Sequence, residues 1–192
     1  MHRWVDLKSL FGIEKSASGL VPTRIPPEFL YSGGKRGRVN RYTPRNGPRS
    51  LYLADNEQTA CAEAAGPGLE DLDPGAIFAV RVDLVSVLNL CDPAVLEALQ
   101  TNPDELTAPV RALRTRRQPL TLRLARAVIK AGKFTSILFP SARRSDGVCL
   151  VVYRDLLFKR EQIDLVDKIG LFRETIIGER EPPRVWADWP GA

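Results

Sequence analysis

The stretch SILFPSARRSDGVCLVVYRDLL, residues 136–157, constrains the fold more than any other part of the chain. It reads as two buried strands joined by a polar, basic turn. Two other stretches carry a similar signal. SLYLA at 50–54 is short, apolar and flanked by turn formers, and AIFAVRVDLVSVLNL at 76–90 has the β-branched enrichment of one long strand or two.

Helices are marked by their ends. DNEQTACAEAAG opens on Asp55 as an N-cap, carries Gln58 three positions later in the manner of a capping box, and stops at Gly66. DPAVLEALQ has Asp92 as cap and Pro93 in the first helical position. PLTLRLARAVIKAGK sets Leu120, Leu124, Val128 and Ala131 near helical spacing, before a glycine stop at Gly132. Residues 1 to 20 predict a short amphipathic helix, and SASGLVPTRIPP then interrupts regular structure. The tail GEREPPRVWADWPGA, with Trp186 and Trp189, reads as loosely ordered or as a docking segment.

A length of 192 residues with 44% hydrophobic content suits one domain with ragged ends. The formal charge of +5 favours phosphate-bearing partners without choosing among them. Of the 28 basic residues 21 are arginines, the side chain that grips phosphate with two parallel donors, although a GC-rich genome would give the same excess. Only the placement of the arginines is therefore informative. Cys61, Cys91 and Cys149 are far apart, and His2 is the single histidine, so neither a zinc site nor a disulfide framework is expected. Charges interrupt the N-terminal apolar residues, and no stretch reaches the roughly 18 apolar residues of a membrane span. These features predict a soluble, cytoplasmic protein that needs no metal.

The arginines do cluster. Lys35, Arg36, Arg38, Arg41, Arg45 and Arg49 stand close together, with no acid from Ser32 to Ala54. Such a run repels itself and would be stabilised by an anion, though taken alone it is ordinarily a solvated loop. Here a strand and a capped helix anchor it. On that helix Glu63 is surrounded by Ala60, Cys61, Ala62, Ala64 and Ala65, and a carboxylate in that setting calls for a cationic partner. Ser141 follows the SILFP strand and precedes Arg143 and Arg144; by itself it is a turn or cap serine.

Together these segments resemble the RES domain, named for an arginine, a glutamate and a serine. The carrying segments are GRVNRYTPRNG, SLYLADNEQTACAE and TSILFPSARRSDG, spread in order over roughly residues 22–155. Taken residue by residue, the resemblance puts the arginine on Arg41, the serine on Ser141, the glutamate on Glu63 and a tyrosine on Tyr52. Tyr42 takes the place of the tryptophan after the arginine. Arg38 is a rival for the arginine position, because GRVN imitates the family's GRWN more closely, and Arg24 matches a further arginine near the family's start. The chain departs from the family pattern in having Val39 and Asn40 where glycines are expected. The boundaries this implies are an N-terminal extension at 1–21, a RES-like domain at 22–165 and a C-terminal extension at 166–192.

The resemblance implies an α+β fold similar to ADP-ribosyltransferases, a mixed or antiparallel split sheet flanked by helices. It also implies a toxin that consumes NAD as substrate, restrained by an Xre-type antitoxin. Arg41, helped by Arg38 or Arg143, would hold the pyrophosphate. Glu63 would face the ribose as the nicotinamide bond stretches toward an oxocarbenium-like state. Tyr52 or Tyr42 would pack the nicotinamide ring, and Ser141 would orient the ribose or amide. The acceptor is water, phosphate or a protein side chain, which makes the enzyme a NAD glycohydrolase, a phosphorylase or a mono-ADP-ribosyltransferase. Two other readings stand beside it. One is a nucleic-acid module using Lys35 to Arg49 with Arg114, Arg116 and Arg117 on phosphates. The other is a catalytically inactive structural or immunity partner.

Overall fold

The structure is a computed structural model and describes residues 10–15, 39–65, 75–108, 119–166 and 173–180. In chain order its elements are β1 (Leu10–Lys15), β2 (Ser50–Ala54), α1 (Glu57–Ala65), β3 (Gly75–Asp83), β4 (Val87–Asn89), α2 (Pro93–Ala98), α3 (Pro103–Thr107), α4 (Leu120–Ala131), β5 (Ser136–Pro140), β6 (Val148–Tyr153), β7 (Gln162–Val166) and β8 (Arg173–Ile177). The fold is α+β. The hairpin read from residues 136–157 forms as β5 and β6, paired antiparallel from Ser136↔Val152 to Pro140↔Val148.

The eight strands lie in the order β4-β5-β6-β2-β1-β3-β7-β8. Among them only β4 and β5 run parallel, joined by the crossover through α2, α3 and α4. The sheet is split. β2 meets β1 through the single pair Phe11↔Ala54, whereas β1 and β3 share six residue pairs from Leu10↔Val80 to Lys15↔Gly75. Side chains hold the halves together: Leu51, Leu53, Leu138, Leu150 and Val152 of one half pack with Val80, Val82 and Ile163 of the other. The opposite face of β2, β5 and β6 buries Ile137, Phe139, Cys149, Val151 and Tyr153 against helix residues Ala60, Leu96, Leu106, Ala125 and Val128.

Several local expectations need correction. Residues 10–15 form a strand rather than part of an amphipathic helix, because six backbone pairs to β3 outweigh weak helical propensity. The 76–90 stretch is two strands, broken at residues 84–86. α1 is capped by Asn56, whose Oδ1 accepts from Thr59 N at 2.8 Å, so the cap lies one residue beyond Asp55. α4 buries Thr121, Leu122, Ala125 and Val128, with Leu120 and Leu124 of the expected line half-buried against the same core and Ala131 exposed, and ends at Gly132 with φ 64°. α2 has the expected Asp92 cap and Pro93 start. β1 and β8 lie in the stretches that the sequence set apart as extensions, and both are hydrogen-bonded into the sheet.

Because β4 and β5 are parallel, Ser86 and Thr135 sit at one end of that pair, and Cys91 and Ser141 at the other. The two ends carry different chemistry.

Candidate active site

At the Ser141 end, α1 crosses the sheet so that Glu63 meets the turn between β5 and β6. Ser141 Oγ donates to Glu63 Oε1 at 2.6 Å, and Ala142 N–H donates to the same oxygen at 2.9 Å. Ser141 is buried, whereas Glu63 is exposed. The serine oxygen also accepts from the N–H groups of Arg143 and Arg144, each at 3.1 Å, and Ser141 N donates to Gly147 O at 2.8 Å. One hydroxyl thus ties the turn and aims the carboxylate. The close approach of helix and turn depends on Gly147, where a Cβ would come within 2.7 Å of the Thr59 side chain.

The arginine loop is built from buried hydroxyls. Tyr42 N donates to Tyr52 Oη at 3.0 Å, and Tyr153 Oη donates to Tyr42 O at 2.7 Å. Thr43 Oγ1 bonds both Ser50 Oγ and Tyr52 Oη, at 2.7 and 2.9 Å. With the Tyr42 peptide fixed on both sides, Arg41 is fixed too. Its Nη1 donates to the carbonyls of Leu106 and Ala108, at 2.6 and 3.0 Å, at the C-terminal end of α3. That leaves the Nε and Nη2 edge, the fork that matches two anionic oxygens, without a hydrogen bond among the described residues. Arg49 is held otherwise: its Nε donates to Asp155 Oδ1 at 2.7 Å and its backbone N to Oδ2 at 2.9 Å. The acid that the loop lacks locally therefore arrives from 106 residues away.

The Tyr42 ring is fully buried, 4.4 Å from the Phe139 ring between centroids, so it is a core residue with no face to offer a nicotinamide. Burial pushes its hydroxyl well above the usual phenol range, and the Arg41 cation pulls it back. Its Oη has no partner among the described residues. Tyr52 is half-buried; burial pushes its hydroxyl up to about 12 against the opposing hydrogen bonds from Thr43 and Tyr42. Cys149 is pushed up to about 12, first by burial and then by the Glu63 and Asp55 carboxylates. Cys91 is pushed up to about 11 by burial and by Asp55. These thiols are poor nucleophiles, but they locate the charges.

Arg41 and Glu63 make no direct hydrogen bond or ion pair among the described residues. Tyr42, next to Arg41, and Cys149, which pairs with Ala54 ahead of α1, belong to the same core cluster. Arg143 is exposed at the same turn, while Arg144 forms a two-point pair with Asp146, at 3.1 and 2.7 Å. Arg24 and Arg38 lie outside the described residues, as do Trp186, Trp189 and Arg114, Arg116 and Arg117. Asp55, which the sequence offers as the helix cap, instead extends the line of β2, its N–H donating to Val148 O at 2.9 Å, and is half-buried. Among the described residues no group of three His, Cys, Asp or Glu side chains is arranged to hold a metal, and no helix is long and apolar enough to cross a membrane.

A carboxylate and serine in contact, and an anchored arginine next to a buried tyrosine, on a split α+β sheet, point to a class of domain. The RES domain family profile matches residues 20–169, and the chain belongs to that family. Among solved structures it is similar to a chain of the M. tuberculosis MbcT–MbcA toxin–antitoxin complex, with 20% identity, a TM-score of 0.56, and coverage of 83% of this chain and 81% of that one. That likeness is one of fold. No curated protein matches the sequence.

Proposed function

We propose that this RES-domain protein is a toxin of a toxin–antitoxin pair that degrades NAD by cleaving the bond between nicotinamide and ribose. The observation that carries the reading is the fixed carboxylate: Glu63 is exposed to a ligand, yet its Oε1 is held by Ser141 Oγ at 2.6 Å and Ala142 N at 2.9 Å. A negative charge held in place stabilises the positive ribosyl centre that develops as the bond stretches, with no reorganisation at the moment of reaction. The free edge of Arg41 supplies a two-point grip for the pyrophosphate. Half-buried Tyr52 is the remaining ring for the nicotinamide face, since Tyr42 is sealed in the core. Membership of the family and the fold shared with a chain of a toxin–antitoxin complex support an antitoxin partner, proposed here to be Xre-type. The alternative of a basic loop reserved for nucleic acid is weakened, because Arg41 and Arg49 both commit donors within the protein.

The test is release of nicotinamide from NAD by the purified chain. Glu63→Gln is expected to lower that rate about 100-fold, while its amide oxygen still accepts from Ser141 Oγ and Ala142 N, so that stability falls by no more than about 1–2 kcal/mol. Undiminished release by the variant would remove Glu63 from the chemistry.

A further inference from the structure

We infer that Asp55 is a second catalytic carboxylate of this site, the group that takes the proton from an attacking water, so that the ribosyl acceptor is water and not inorganic phosphate. The inference rests on the NAD-cleaving reading above and names its acceptor. Asp55 ends the strand that leads into α1, pinned by its N–H to Val148 O at 2.9 Å. Its Oδ1 accepts from Asn56 Nδ2 at 3.0 Å, and its Oδ2 has no hydrogen bond among the described residues. It is half-buried, open enough to meet solvent.

The two carboxylates meet the same end of β6: Asp55 N–H donates to Val148 O, Val148 pairs with Pro140, and Ser141, which holds Glu63, donates through its N–H to Gly147 O. The buried Cys149 thiol beside them feels both Glu63 and Asp55. Their hydrogen bonding divides the work. Each keeps one oxygen without a hydrogen bond among the described residues, but Glu63 takes two donors that fix it as a stationary charge, whereas Asp55 takes only the Asn56 amide and leaves Oδ2 for a proton. A phosphate dianion entering between them would be repelled by both; of the two arginines on that turn Arg144 is already paired with Asp146, and exposed Arg143 is assigned to the substrate's pyrophosphate. Water carries no charge to repel, but it needs a base.

The step balances without any further reactant. The water oxygen bonds to ribose C1′, and the C1′–N bond breaks with its electron pair passing to the nicotinamide nitrogen, which leaves neutral. The water proton passes to Asp55 and from there to solvent. No atom changes oxidation state overall.

The experiment uses the full chain with NAD, with and without added inorganic phosphate, as wild type, Asp55→Asn and Asp55→Gly. Asparagine keeps the Oδ1 acceptor for Asn56, and far-UV circular dichroism checks that each variant folds. Asp55→Asn is expected to lower kcat about 100-fold or more, the range of general-base catalysis, with KM little changed. Formate, a diffusible base, is expected to restore turnover to Asp55→Gly, which a merely structural role would not allow. The wild-type product is expected to be ADP-ribose whether or not phosphate is present. A rate that rises with phosphate, with phosphate found on the product, overturns the inference even if neither variant folds. So does an Asp55→Asn enzyme with wild-type kcat. Both outcomes leave NAD cleavage standing, whereas a wild-type chain that releases no nicotinamide removes that reading and this one together.

Discussion

Two glutamates occupy opposite ends of the parallel β4–β5 pair, and they are held in opposite ways. Glu63 is exposed and takes two donors on one oxygen. Glu161 is completely buried and takes four: Val85 N at 3.0 Å, Ser86 N at 3.1 Å and Thr135 Oγ1 at 2.8 Å on Oε1, and Phe158 N at 2.9 Å on Oε2. Those donors come from the entry to β4, the entry to β5 and the 3-10 turn that follows β6, so Glu161 knots three segments together. No cation completes it among the described residues. The difference teaches that surroundings decide what a carboxylate does. Full enclosure by donors makes a structural hub, and partial enclosure at a rim leaves an edge for a ligand.

The contrast breaks most readily at the hub. Glu161→Ala takes the acceptor from four donors, of which the buried Ser86 and Phe158 N–H groups have no other acceptor among the described residues, at about 1–3 kcal/mol each, and is expected to destabilise the protein by about 4 kcal/mol in urea titrations. Little change in the midpoint would mean that the enclosure is not what holds these segments. A smaller effect is expected at the rim. Ser141→Ala removes a hydrogen bond to a charged group, of about 1.5–3 kcal/mol, and nicotinamide release should fall tenfold or more in proportion. Equal activity in the variant would show that Ala142 N alone fixes Glu63.

The subtlest effect is on pH dependence. Burial pushes the Glu161 carboxyl above its ordinary value, with its four donors pulling the other way. The folded chain therefore takes up a proton at higher pH than the unfolded one, and the contribution of this group becomes more favourable as pH falls from neutral toward 4.5, the unperturbed value. Glu161→Gln should lack that trend when stability is compared with the wild type across the same range. A wild-type trend of the opposite sign would mean that the donors outweigh burial.

How much of this was legible in the sequence depended on distance along the chain. β5, β6, α2 and the end of α4 were readable because runs such as CLVVY and caps such as Asp92 and Gly132 act on their immediate neighbours. α3 was overlooked although Asn102, Pro103 and Glu105 form a cap, a first-turn proline and a capping acid in TNPDE, a signal as local as the others. The Arg49–Asp155 pair could not be read, since nothing in either segment names the other across 106 residues. Glu161 follows Lys159 and Arg160 and looks like a surface acid; only the return of the chain past Ser86 and Thr135 buries it. At the candidate site the family pattern located Glu63 and Ser141, which the fold brings into contact. It gave Tyr42 a ligand-facing role that the core has taken, and it was silent on Asp55.

Residue 147 has no side chain, and that vacancy sets the separation of helix and turn. Glu63 and Ser141 face each other at a spacing decided by steric clearance beside Thr59, upstream of any attraction between the two groups themselves. A single methyl there would act as a wedge, prising the pair apart while leaving both residues chemically intact.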